Sequence, residues 1–176
     1  MLLFLDTETT GLSAAAGDRI VEVAIVDESG RALIDTLVDP GRSIPTSATR
    51  IHGITDRMVR GAPTLEALMP EIRRIVGGSH VVIYNATYDA PFFPEELGFA
   101  AQISCAMRQY AEMRYGRWVK LDVAAHAVGH RWTGQAHRAL ADALACRSVW
   151  NWLTASSGRG REIGRASCRE RVFAVV

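Results

Sequence analysis

Two carboxylates near the start of the chain, Asp6 and Glu8, are separated by a single residue. They follow the apolar run Met1 to Leu5, which is typical of a strand buried on both faces. Alternate residues of a strand point to the same side of a sheet, so both carboxylates should project side by side. Like charges at that spacing repel and raise each other's pKa unless a cation lies between them. The pair therefore favours a metal site over two solvated acids at a strand end.

Asp142 is a second carboxylate in an unexpected place. It lies in a predicted helix from about Arg138 to Leu153, on the same face as Cys146 and Val149. A carboxylate on an apolar face that points to the core needs a compensating charge, and a divalent cation can supply it. The alanines around Asp142 would let this helix approach the sheet closely. Asp142 is therefore a candidate for the same metal site.

Asp89 follows the apolar segment His80 to Asn85, which predicts a strand. Folds with parallel strands often place ligand groups at the ends of those strands. By itself, however, an acid in this position is equally typical of a helix cap. Asp89 becomes a site residue only in combination with the other acids.

The remaining pattern supplies the elements that must position these acids. After the first strand, strands are predicted at 19–26, 32–38, 80–85 and 101–104, and helices at 64–76, 91–98, 106–115, 121–128 and 138–153. The stretch 39–61 is interpreted as a connection. Three strands in a meander, followed by alternating strands and helices, predict an α/β fold in which helices flank a mixed five-stranded sheet.

The composition describes one globular domain with an unusual end. The chain has 176 residues, of which 48% are hydrophobic and 22% charged. Residues 158–176 carry five arginines and two glutamates without apolar periodicity, and residues 162–172 resemble the translation of a common sequencing adapter. We therefore expect a domain at 1–157 and a basic tail at 158–176 that is non-native or disordered, with no function.

The charge balance limits how this protein could bind nucleic acid. The net charge is +1, of which the tail contributes +3, so residues 1–157 carry about −2. Overall charge would not attract a polyanion, and phosphate must be met by local arginines or by metal ions. The apolar run at the start is too short for a signal peptide or a membrane span, which favours a cytoplasmic location without a membrane partner.

Four short motifs occur together in a recognisable order. They are Asp6-Thr7-Glu8-Thr9-Thr10-Gly11-Leu12, Ile51-His52-Gly53-Ile54-Thr55, Asn85-Ala86-Thr87-Tyr88-Asp89 and His137-Arg138-Ala139-Leu140-Ala141-Asp142. Over residues 2–153 the chain closely resembles the DEDDh exonucleases, the DnaQ-like 3′–5′ exonucleases with a ribonuclease H-like fold. Each motif alone is weak, but the four in this order and spacing are specific.

The resemblance implies a role for nine residues. Asp6, Glu8, Asp89 and Asp142 would hold two Mg²⁺ or Mn²⁺ ions, His137 would be the general base, and Thr9, Leu12, His52 and Asn85 would lie at the substrate. His137 precedes Asp142 by five residues, about 140° apart on a regular helix, so both can face one site only if His137 lies before the helix is established. For His52 and Asn85 a structural role is equally consistent with the sequence.

The implied activity is removal of nucleoside monophosphates from the 3′ end of DNA, with single-stranded ends preferred. An RNA-trimming or short-oligonucleotide enzyme would share these motifs, and a non-catalytic module that binds nucleic-acid ends or a polymerase is the alternative from another class. A DNA polymerase or a second copy of the chain are the protein partners considered. His126 and His130 have a zinc-compatible spacing, but no third ligand follows.

Overall fold

The computed structural model describes residues 1–93, 95–114, 116–132, 134 and 136–157, so the predicted tail at 158–176 lies outside the described residues. Five strands form one sheet: β1 Leu2–Thr9, β2 Ile20–Asp27, β3 Ala32–Leu37, β4 His80–Ile83 and β5 Gln102–Cys105. Their order is β3-β2-β1-β4-β5, with β1, β2 and β3 antiparallel and β4 and β5 added in parallel to β1. The predicted mixed sheet is confirmed.

Helices cover the sheet on both sides. They are α1 Thr46–His52, α2 Asp56–Val59, α3 Leu65–Val76, α4 Ala86–Asp89, α5 Ala106–Arg114, α6 Leu121–Ala127 and α7 Ala139–Ser157, with short 3₁₀ helices at Ala14–Ala16, Ala90–Phe92 and Glu96–Phe99. The Thr64 hydroxyl accepts the Ala67 N–H at 3.3 Å and caps the N-terminus of α3. No helix within the described ranges is both long and apolar enough to cross a membrane.

Two segments differ from the sequence prediction. The connection at 39–61 contains the short helices α1 and α2. Each has too few apolar positions for a helical period to be recognised in the sequence. The helix predicted at 91–98 is wrong: α4 begins earlier, at Ala86, and a 3₁₀ turn follows at Pro91. The Asn85 carbonyl accepts the N–H groups of Tyr88 and Asp89, so the first turn forms directly after β4.

The central strand β1 has apolar side chains on both faces. Leu3 and Leu5 pack on one side with α3, whereas Phe4 packs on the other side with Cys146 and Val149 of α7. Asp6 and Glu8 have the same parity as Phe4 along the strand, so they belong to the face that α7 covers. The alternation of β1 therefore turns both acids toward the helix that carries Asp142.

Candidate active site

Three carboxylates meet where β1 passes beneath α7. One oxygen from each of Asp6, Glu8 and Asp142 lies within 4.8 Å of the other two. Cys146, Val149 and Leu153, which share the inward face of α7 with Asp142, are buried as the helical spacing predicts. Carboxylate oxygens at these separations are a donor set suited to hard divalent cations. The residues therefore fit the metal site that the sequence suggested.

Asp89 approaches this group from the neighbouring strand, although it is not one of the three carboxylates that lie within 4.8 Å of one another. It ends α4, directly after β4, which runs parallel to β1. Its side chain is buried, and the Thr7 hydroxyl donates to its Oδ1 at 2.6 Å. Asp89 also acts electrostatically on Asp6: burial is the main cause of the raised pKa of the Asp6 carboxyl, and the charge of Asp89 is the next. All four acids of the motifs thus lie in one region, with Asp89 fixed by a residue of β1.

Burial and mutual repulsion disfavour the ionised state of this cluster. Burial, then the charges of Asp142, Glu22 and Asp89, raise the pKa of Glu8 to about 8. Burial also raises the pKa of Asp6 well above its usual range, with the charge of Asp89 as the next cause. Without a cation the cluster is therefore expected to hold protons near neutral pH.

These shifts predict how the metal-free protein responds to pH. Carboxyl groups whose pKa is raised by folding bind protons in the folded state that the unfolded chain has already released, so stability falls as pH rises between the two pKa values. Because the pKa of Glu8 is raised to about 8, we expect the melting temperature in EDTA to fall by several degrees from about pH 5.5 to about pH 8.5.

Thermal melts in EDTA and in excess Mn²⁺ measure this effect. Cation binding should offset the repulsion and remove most of the decline. A melting temperature in EDTA that rises over the same pH interval would contradict the electrostatic account of the cluster.

His137 lies immediately before α7, and its backbone has a left-handed φ of 61°. This conformation is uncommon for residues other than glycine. The His137 N–H donates to Asp142 Oδ1 at 3.3 Å, while the imidazole is exposed. The turn thus resolves the spacing problem: His137 lies outside the helix and can be near Asp142 although five residues separate them.

A second pair of charges lies beside the acids and was not among the residues predicted from the sequence. Glu22 of β2 is the register partner of Glu8. Arg138 Nε lies 3.0 Å from each of the two carboxylate oxygens of Glu22. Glu22 Oε2 also accepts the Ala139 N–H at 2.9 Å. One signal was available, since Glu22 is a lone charge within the apolar run Ile20 to Val26.

The four residues expected at the substrate separate into two pairs. Leu12 and Asn85 line a cleft, whereas Thr9 and His52 make contacts within the protein. Leu12 is 82% exposed, and together with Asn85 and Trp118 it lines a cleft of about 260 Å³ next to α4. In contrast, the Thr9 hydroxyl lies 2.7 Å from the Gly11 carbonyl and 2.6 Å from the Tyr88 hydroxyl. Thr9 therefore braces the loop that carries Leu12.

His52 is only 2% exposed, and its Nδ1 accepts the Ile54 N–H at 3.0 Å. Its Nε2 is buried without a hydrogen-bond partner among the described residues. Burial lowers the pKa of His52, which favours the neutral ring. The contact with Ile54 shows that His52 structures its own loop. His130, which was considered with His126 as a zinc ligand, instead has its Nδ1 2.8 Å from the Ser148 hydroxyl.

Known proteins of the family that the motifs indicated are similar to this chain over most of its length. The model of the family described as Exonuclease (RNase_T) matches residues 3–149. An "Uncharacterized exonuclease CP81" of Escherichia phage 186 is 42% identical, and the match covers 90% of this chain and 89% of the phage protein. The DNA polymerase III subunit epsilon of Rickettsia conorii is 29% identical over 62% of this chain, which spans 49% of that subunit.

Among solved structures, "Exonuclease X in complex with 5' overhanging duplex DNA" superposes with a TM-score of 0.75 at 28% identity. The match covers 90% of this chain and 93% of that one. The family match spans most of the described residues and includes the four acids, His137 and the cleft. The chain belongs to the exonuclease family, within its DEDDh or DnaQ-like 3′–5′ exonucleases, and is an enzyme of that class.

Proposed function

We propose that this 3′–5′ exonuclease acts on single-stranded 3′ ends of DNA and releases nucleoside monophosphates. The observation that carries the proposal is the cluster of Asp6, Glu8 and Asp142, whose oxygens lie within 4.8 Å of one another beside an exposed imidazole. DNA is favoured over RNA as the substrate because the structure of exonuclease X, which matches 90% of this chain, was solved in complex with DNA.

The acids would hold two Mg²⁺ or Mn²⁺ ions, with Asp89 as the fourth carboxylate. Hard cations prefer such oxygen ligands, and the pKa of Glu8 is raised to about 8 by burial first and then by the neighbouring carboxylate charges. When bound, two such ions stabilise charge on the attacking and leaving oxygens of a phosphoryl displacement. They would also supply the positive charge that residues 1–157 lack.

His137 is proposed as the general base of this reaction. Its imidazole takes a proton from a water molecule, the water oxygen forms a bond to phosphorus, and the bond from phosphorus to the 3′ oxygen breaks. The shortened strand keeps its 3′ oxygen as a hydroxyl after taking a proton from solvent, and the released nucleotide carries the phosphate. The bond from the His137 N–H to Asp142 orients this segment relative to the acids.

The cleft beside α4 is proposed to receive a base of the unpaired strand. Leu12 and Trp118 are 82% and 74% exposed, and both line this cleft. Large apolar side chains exposed at a cleft are typical of binding surfaces, and every nucleobase can stack on an indole. Arg117 and Lys120, on either side of Trp118, are exposed and could meet phosphate. A base can enter only when unpaired, which supports a preference for single strands.

Trp118→Ala is therefore expected to raise the KM for single-stranded DNA by roughly 10-fold, since one stacked base contributes about 1–3 kcal/mol. Trp118→Phe should keep most of the affinity. Trp132→Ala is the matched control, because Trp132 packs on His130 and does not line the cleft. Steady-state kinetics on a labelled oligonucleotide give both constants, and an unchanged KM for Trp118→Ala would exclude this role.

The substrate is tested by digestion of single-stranded DNA, duplex DNA and RNA of the same sequence with Mg²⁺ or Mn²⁺. We expect fastest loss of single-stranded DNA, one nucleotide at a time from the 3′ end. Faster digestion of RNA would favour the RNA-trimming alternative. A polymerase partner is a further proposal that rests on the epsilon relative, of which this chain spans 49%.

A further inference from the structure

Glu22 is a fifth carboxylate beside the four acids of the motifs, and its surroundings differ from theirs. It is the register partner of Glu8 on the adjacent strand and is 2% exposed. The β1–β2 register shifts by one residue directly after this pair. Such irregularities often occur next to active sites, where they redirect a side chain. Glu22 therefore lies next to the acids that would bind metal.

Both oxygens of Glu22 already have partners in the protein. Arg138 Nε lies 3.0 Å from each oxygen, Arg138 Nη2 pairs with Oε1, and the Ala139 N–H donates to Oε2 at 2.9 Å. A guanidinium that contacts both oxygens compensates the carboxylate charge and fixes its orientation. Glu22 is thereby unlike Asp6 and Glu8, whose surroundings include no such cation contact among the described residues.

These contacts join β2 to the beginning of α7. The Ala139 N–H is one of the first helical donors, which lack a partner inside a helix, and Glu22 satisfies it from another element. Arg138 directly follows His137, and Asp142 lies one turn beyond Ala139. The Glu22–Arg138 pair thus fixes the backbone between the proposed base and a proposed metal ligand.

We infer that Glu22 and Arg138 are positioning residues of the nuclease reaction, which hold His137 and Asp142 against the acids of β1. This inference rests on the proposed function of that site. Arg138 has a second effect, since its positive charge partly offsets the negative charge that Glu22 adds beside Glu8. Breaking a buried pair by removing one partner leaves an uncompensated charge, whereas removing both partners costs less.

The test compares Arg138→Met, Glu22→Gln and the double variant with wild type. The amide of Glu22→Gln keeps an acceptor for the Ala139 N–H, so it should cost least. Arg138→Met should lower kcat and the affinity for Mn²⁺ by about 10–100-fold, as is typical when a partner that orients a ligand is lost. The KM for single-stranded DNA should change little. The double variant should recover part of the loss, because the buried charge is gone.

Two measurements separate positioning from stability. Mn²⁺ binding by calorimetry does not depend on turnover, and circular dichroism with thermal melts reports folding. Arg147→Ala is the matched control, since Arg147 also lies on α7 but donates to the Glu28 carbonyl away from the acids. If Arg138→Met does not fold, Arg138→Lys replaces it, because lysine keeps the charge but cannot contact both oxygens.

A lower melting temperature with wild-type kcat and Mn²⁺ affinity would overturn the inference, as would a double variant no better than Arg138→Met. Failure of the proposed function would look different, because the wild type would then digest no nucleic acid at all. In that event Mn²⁺ binding by the variants would still decide whether the pair positions the acids.

Discussion

Asp6→Asn is expected to reduce kcat by several orders of magnitude. The substitution keeps the shape of the side chain but removes an anionic ligand from the centre of the cluster, so both proposed ions lose their placement. Asp142→Asn should act similarly, because its oxygen lies within 4.8 Å of those of Asp6 and Glu8. Single-turnover digestion of a labelled oligonucleotide at saturating Mn²⁺ measures the loss.

The same substitution should stabilise the metal-free protein. The pKa of Asp6 is raised well above its usual range by burial and by neighbouring acids, so a neutral amide removes a repulsive charge. At about pH 8 in EDTA, Asp6→Asn should therefore melt at a higher temperature than wild type. The wild-type carboxylate would then support activity at a cost in stability.

Glu112→Gln is the matched control, since it removes one carboxylate from an exposed position on α5. It should change neither kcat nor the melting temperature appreciably. Wild-type turnover in excess EDTA, or an Asp6→Asn enzyme of near-normal rate, would contradict the metal-site assignment.

His137→Ala is the second substitution with a large expected effect. General bases typically contribute about 10²–10⁴-fold, so kcat should fall within that range while the acids still bind Mn²⁺. Only a neutral imidazole can accept the proton, and the wild-type rate should therefore rise with pH. His137→Ala should lose this rise.

Rates measured at saturating Mg²⁺ as a function of pH test the assignment. His126→Ala is the control, because His126 is exposed on α6 and outside the acidic cluster. His52→Ala should cost less and leave the shape of the profile intact, since His52 is buried and bonded to Ile54. Near-normal activity of His137→Ala, or loss of the pH dependence in His52→Ala, would show that another group is the base.

The sequence by itself determined the features that depend on local periodicity. The period of two along β1 placed Asp6 and Glu8 on one face, and the helical period placed Asp142 on the inward face of α7. Turn residues and β-branched runs located all five strands of the sheet. The motif order then indicated the family, because four short motifs constrain a fold more than any one of them.

The contacts between elements were decided by the tertiary structure. Glu22 faces Glu8 only because β1 and β2 pair in one register, and a change of one residue would turn Glu22 to the other face. The left-handed turn at His137, the exposure of Leu12 and the burial of His52 likewise follow from how separate elements pack. Local patterns specify which face a side chain occupies, whereas its partners across that face depend on distant residues that periodicity does not encode.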